Sequence, residues 1–98
     1  MRSNLKIYKL EFIPLNNHYP HPSRKVFIVA YSEEQAKKFL RDWLVNVKRC
    51  NFFFEGIERV NKTSKEGKYA LKPYTIEERF ERQNKLIYGA NVWISLHY

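Results

Sequence analysis

Cysteine is almost absent: Cys50 is the single one in a chain of 98 residues. One cysteine cannot close an intramolecular disulfide or anchor a zinc knuckle, and such sparse use fits a reducing compartment. Glycine is scarce too, and Gly56, Gly67 and Gly89 lie far apart, which excludes a glycine-rich phosphate loop. The longest uncharged apolar run, Val26 to Tyr31, is far short of the roughly 20 residues that span a bilayer, and the N-terminus shows no signal-sequence pattern. No membrane association is expected, and the location implied is cytoplasmic. Acidic residues are outnumbered, with 10 Asp and Glu against 18 Lys and Arg and a net charge of +8. That balance excludes a DNA mimic and suits a polyanionic or acidic partner. No repeat or biased segment divides the chain, and its length supports one hydrophobic core, so residues 1–98 are expected to form a single small basic domain.

What is present reads as alternating strand and helix signals. Leu5 to Ile13 alternates, with Tyr8, Leu10 and Phe12 on one side, and Pro14 ends the run. Leu15 to Ser23 carries asparagines and prolines without a period, as an exposed connection does. Arg24 to Tyr31 is β-branched and aromatic on both faces, which predicts a central strand, buried from two sides or paired on both edges. Ser32 with Gln35 has capping-box spacing, and Ala36, Phe39, Leu40, Trp43, Leu44 and Val47 form one apolar stripe. The main amphipathic helix is therefore expected over about 33–48. Cys50 to Val60 predicts a third strand, with Phe52, Phe54, Ile57 and Val60 turned inward and Gly56 marking a bulge. A polar connection follows at Asn61 to Lys68, then a short strand at Tyr69 to Lys72 stopped by Pro73. Thr75 with Glu78 opens a short helix to about Lys85, with Ile76, Phe80 and Leu86 as its apolar face and Gly89 as its stop. Asn91 to Tyr98 alternates again as a last strand. The fold class expected is α+β, a mostly antiparallel sheet of four or five strands in the order ββαβ(β)αβ, packed on the main helix.

The residues offer little for catalysis. His18 and His21 could join Cys50 or His97 around a metal ion. Pro20 and Pro22 prevent the helical geometry that would converge the two imidazoles, so solvated loop histidines are the ordinary reading. His97 as an acid or base, and Cys50 as a thiol activated by Lys48 and Arg49, each have a plain structural alternative at a strand edge and a helix end. Glu77 and Glu78 are adjacent on a helix and diverge, so they are no carboxylate pair. The expectation is a non-enzymatic protein without metal or cofactor.

The positive signal is charge interleaved with aromatics over about 59–85. Arg59, Lys62, Lys65, Lys68, Tyr69, Lys72 and Tyr74 are followed by Arg79, Arg82 and Lys85, and Arg24, Lys25, Lys48 and Arg49 would widen the surface if folding gathers them. Cations neutralise phosphates and tyrosines stack on unpaired bases, which is how single-stranded nucleic acid is held. Surface lysines that only confer solubility are the plain alternative. The first reading is an accessory protein that binds DNA or RNA, in which changing Lys62, Lys65 and Lys68 together to Glu should abolish binding. The second starts from codons: Phe, Tyr, Met, Ile, Asn and Lys far outnumber Gly, Ala, Arg and Pro, as in an AT-rich genome. Small size and missing catalytic motifs then suit a phage- or mobile-element-type inhibitor or adaptor. Its partner would be a host nucleic-acid-processing protein such as a CRISPR effector, a restriction enzyme or a polymerase, an analogy of class only. Tyr19, His21, Tyr74 and Trp93 would anchor that interface, and the strand at 91–98 could pair edge to edge in a homodimer.

Overall fold

The computed structural model describes residues 4–15 and 22–89. Three strands, β1 (Lys6–Pro14), β2 (Arg24–Ala30) and β3 (Phe52–Val60), form an antiparallel sheet in the order β2-β1-β3. Helix α1 (Glu33–Asp42) continues as a π-helical turn over Trp43–Val47. After β3 come α2 (Lys65–Leu71) and α3 (Ile76–Asn84), and α3 continues as a second π-helical turn over Lys85–Gly89. The fold is α+β, with three strands among the described residues where four or five were expected of the whole chain. The strand expected at 91–98, together with His18, Tyr19, His21, Trp93 and His97, lies outside the described residues.

Strand alternation builds two apolar layers. Tyr8, Leu10 and Phe12 of β1 and Ile28 and Ala30 of β2 point to one face, where they bury against Ala36, Phe39, Leu40 and Leu44. This is the expected stripe of the main helix, with Trp43 partly buried beside it. Leu5, Ile7, Val29 and Val60 point to the other face and pack on Ala70 and Ile76 from α2 and α3. Of the two arrangements expected for β2, burial from two sides is present, while among the described residues it is β1 that is paired on both edges. Both faces of β2 are apolar because helices cover both, and among the described residues its outer edge has no neighbouring strand.

Gly56 does mark a bulge. Glu11 pairs Gly56 while Phe12 pairs Phe54, so Glu55 is an extra residue in β3. The step of three from Phe54 to Ile57 keeps Phe52, Phe54 and Ile57 packed on the α1 layer. Val60 belongs to the opposite layer, a correction to the single inward set expected. Ser23 donates a hydroxyl hydrogen bond to the Glu55 carboxylate and ties the start of β2 to the bulge.

The segment read as a short strand at Tyr69 to Lys72 is the end of a helix and the residue that caps it. Asn61 starts a tight turn in which its carbonyl accepts from the Ser64 amide at 3.0 Å. The Ser64 hydroxyl then accepts from the Gly67 amide at 3.0 Å, the N-cap bond that starts α2. Gly67 is needed for contact: a Cβ there would sit 2.1 Å from the Asn61 carbonyl oxygen. The glycine that reads as a loop marker thus lets the helix lie against its own N-terminal turn. A cis Lys72–Pro73 peptide leads into α3.

The Thr75–Glu78 capping box is complete, with the Thr75 amide donating to Glu78 Oε1 at 2.9 Å and the Glu78 amide donating to Thr75 Oγ1 at 3.1 Å. At Ser32 only half of the box forms, because Gln35 Oε1 accepts from the Tyr31 amide at 2.7 Å, one residue before the cap. The apolar face of the last helix runs Ile76, Phe80 and Ile87; Leu86, expected there, is 56% exposed. Ile87 lies eleven residues after Ile76, nearly a whole number of α-turns, whereas Leu86 falls about a quarter turn off. Asp42 ties this helix to α1, accepting from Lys38 Nζ at 2.8 Å and from the Tyr88 hydroxyl at 2.6 Å.

Candidate nucleic-acid interface

A groove of about 810 Å³ follows the outer edge of β2. Val26 and Ile28, whose side chains point to one face of the sheet, line it together with Phe27, which points to the other, so the groove passes over the strand edge itself. Phe39 and Trp43 bound it on the α1 side, and Arg79, Arg82 and Gln83 on the α3 side. Tyr69 and Tyr74 also line it, from the end of α2 and the turn into α3.

Charge is sorted across α3. Arg79, Arg82 and Leu86 recur at i, i+3 and i+7 and line the groove, and Lys85 and Lys25 join them. Glu77, Glu78 and Glu81 of the same helix do not line it, and Glu78 is held in the capping box. The groove therefore gathers cations from β2 and from α3 with its extension, and no carboxylate faces it among the described residues. The ion pairs among the described residues are Lys9–Glu66, Lys38–Asp42 and Arg41–Asp42, so no groove cation is neutralised in one.

The aromatic groups are set at defined positions. The Arg82 guanidinium lies 4.5 Å from the Tyr74 ring centre, which fixes both side chains by a cation–π contact. Tyr69 meets Phe27 edge to face, with ring centres 6.5 Å apart, and remains 75% exposed. Its ring is available to a stacked ligand in a way that a core tyrosine is not.

Gln83 has a particular role at the strand edge. Its Oε1 accepts from the Val29 amide and its Nε2 donates to the Val29 carbonyl, both at 2.7 Å. The side-chain carboxamide thus takes the place that a neighbouring strand would fill. Residues two apart in a strand direct their peptide groups to the same side, so the amides and carbonyls of Phe27 and Lys25 also face outward. Among the described residues nothing takes them.

The residues expected over 59–85 separate into three sets. Tyr69, Tyr74, Arg79, Arg82 and Lys85 converge on the groove. Arg59 and Lys62 line a smaller recess of about 580 Å³ with Lys6, whose Nζ donates to the Asn4 and Tyr31 carbonyls. Lys65, Lys68 and Lys72 belong to α2 or its cap, are exposed, and line neither space. Lys25 joins the groove, while Arg24, Lys48 and Arg49 do not line it. Sequence reasoning missed Phe27, Trp43 and Gln83 as groove residues. The signal available was the spacing of Arg79, Arg82, Gln83 and Leu86, one face of a helix carrying cations and an amide.

Titration is perturbed away from the groove. Burial acts to raise the Asp42 carboxyl, but the hydrogen bonds from Lys38 and Tyr88 and the charges of Lys38 and Arg41 outweigh it and hold the group below its ordinary value. Burial, then the hydrogen bond to Asp42, pushes the Tyr88 phenol up. On the opposite sheet face the hydrogen bond to Glu66 raises the Lys9 ammonium. These groups brace the fold. Among the described residues no three His, Cys, Asp or Glu side chains are grouped to hold a metal ion, and no helix is long and apolar enough to cross a membrane.

With this geometry in hand, comparison adds no relative: no protein-family model, no curated protein and no solved structure matches the chain.

Proposed function

We propose that this chain is a non-enzymatic accessory protein that binds single-stranded nucleic acid in the groove along β2. Lys25, Arg79, Arg82 and Lys85 would neutralise successive phosphates, and Tyr69 and Tyr74 would stack on bases. One observation carries the reading: the groove collects these cations and tyrosines while no carboxylate faces it among the described residues. A surface charged only for solubility would mix both signs. The test is fluorescence anisotropy with labelled single-stranded DNA, single-stranded RNA and duplex DNA at about 50 and 200 mM salt. Salt-sensitive binding that favours the single strands supports the groove. Equal, weak binding to all three, lost at the higher salt, would reduce the charge to general attraction.

A second reading, an inhibitor or adaptor docked on an acidic surface of a nucleic-acid-processing protein, is favoured by Leu86. This side chain is 56% exposed among the groove cations, the pairing of apolar anchor and charged surround that protein interfaces use. Copurification with such a protein, together with no measurable affinity for any nucleic acid, would select it.

A further inference from the structure

The stretch of the β2 edge that is open among the described residues lies inside the groove, and what it can bind follows from what it already binds. At Val29 the outward amide and carbonyl are paired by a planar group carrying one acceptor and one donor side by side, the Gln83 carboxamide, at 2.7 Å on both sides. Two residues earlier, Phe27 presents the same donor and acceptor to the groove, with Tyr69 edge to face against its ring. A peptide strand could use this edge, but Gln83 stops the ladder at Val29, and only Phe27 and Lys25 remain within the groove-lining part of β2. Strand addition draws its affinity from a longer run of main-chain bonds. A planar heterocycle needs only one such pair, an aromatic neighbour and cations for its phosphates, and all of these are present.

We propose that the Phe27 peptide pairs with the Watson–Crick edge of an unpaired base, with the base lying against Tyr69 and its flanking phosphates on Arg79, Arg82 and Lys85. This rests on the single-strand reading and deepens it by naming the ligand as a base whose Watson–Crick edge is free. Each base has a donor and an acceptor next to each other on that edge, so the contact is tolerant of sequence. A duplex has both edges occupied and is excluded by hydrogen bonding as well as by width. Gln83 would serve as the internal counterpart of the ligand, closing the next position on the strand.

The test uses the full chain, ¹⁵N-labelled, titrated with oligouridylate, with the same oligomer carrying N3-methyluracil, and with an abasic oligomer of equal length. Methylation at N3 removes the donor from the pairing edge and leaves the phosphates and a stackable ring. The expected result is a downfield shift of the Phe27 amide with oligouridylate alone, and about tenfold weaker binding of the methylated oligomer, the loss for a buried peptide pair left unmade. Shifts at Arg79 and Arg82 with every oligomer, but none at Phe27 and equal affinities, would overturn the base contact while leaving the groove as a strand site. No shift with any oligomer would overturn the single-strand reading itself. A Phe27 shift produced by an acidic peptide and by none of the oligomers would also overturn it, assigning the edge to strand addition. A Phe27→Pro variant removes only an outward amide from the main chain, so the β1 ladder is kept. Set against Phe27→Ala, which deletes the ring and keeps the amide, it should bind oligouridylate about tenfold more weakly; equal affinity of the two would overturn the contact.

Discussion

Removing Arg79 and Arg82 together separates a groove from a merely basic surface. Each phosphate neutralised on a single strand contributes about −0.7 to the slope of log K against log salt. If Lys25, Arg79, Arg82 and Lys85 each meet one phosphate, the slope is about −2.8, and affinity falls about fifty-fold between about 50 and 200 mM salt. Arg79→Gln with Arg82→Gln halves the number of contacts, so the slope should drop to about −1.4 and the fall to about sevenfold. Among the described residues neither arginine is in an ion pair, although Arg82 does cover Tyr74. Circular dichroism should therefore show the variant folded, with a modest loss of stability. The comparison is Lys62→Glu, Lys65→Glu and Lys68→Glu together, which lie outside the groove. That triple change should weaken binding through the overall field and leave the slope near −2.8. A collapsed slope in the triple variant and an unchanged one in the double variant would refute the groove and return the site to the exposed face of α2.

Tyr69→Ala should weaken single-strand binding by about 1–3 kcal/mol, the worth of one base stacked on a ring, with little change in melting temperature because the side chain is mostly exposed. Gln83→Ala strips the Val29 amide and carbonyl of their partners; a loss of about 1–3 kcal/mol in denaturant unfolding and faster exchange of the Val29 amide are expected. The Asp42 carboxyl is lowered in the fold, so its stabilisation is complete above the unfolded value near pH 4 and is lost as pH falls through the folded one. The raised Tyr88 phenol sets the opposite limb: its contribution is present below about pH 10 and disappears as pH rises through the folded value. Asp42→Asn should flatten the acid limb of stability against pH, and an unchanged limb would remove Asp42 from the account.

Local chemistry was legible in the sequence. Thr75 and Glu78 close their capping box, the stripe from Ala36 to Leu44 faces the sheet, and the bulge falls beside Gly56 because these features depend on neighbours a few residues away. Two outcomes were hidden by tertiary context. Tyr69 to Leu71 became helix because Ser64 caps it and Gly67 tolerates the Asn61 carbonyl, a contact that no strand pattern reveals. Arg24 to Ala30 reads as a central strand because composition reports burial of its faces and is silent about its edges. The groove was half legible. Its cations on α3 were named from charge alone, but their meeting with Lys25 and Phe27 depends on α3 crossing a strand more than fifty residues earlier in the chain.

Glu55 makes β3 a strand with two phases. From Phe52 to Phe54 the inward step is two residues, from Phe54 to Ile57 it is three, and Phe53 is left 59% exposed. Deleting Glu55 would remove the extra residue and leave Phe54 two positions before Ile57, so plain alternation would keep Phe52, Phe54 and Ile57 on the α1 layer with Phe53 outside. The bulge thus works as a spare link: β3 can lose one residue at Glu55 and keep each phenylalanine opposite the same β1 partner, so this end of the sheet tolerates a change of chain length that the alternating half of β1 would not.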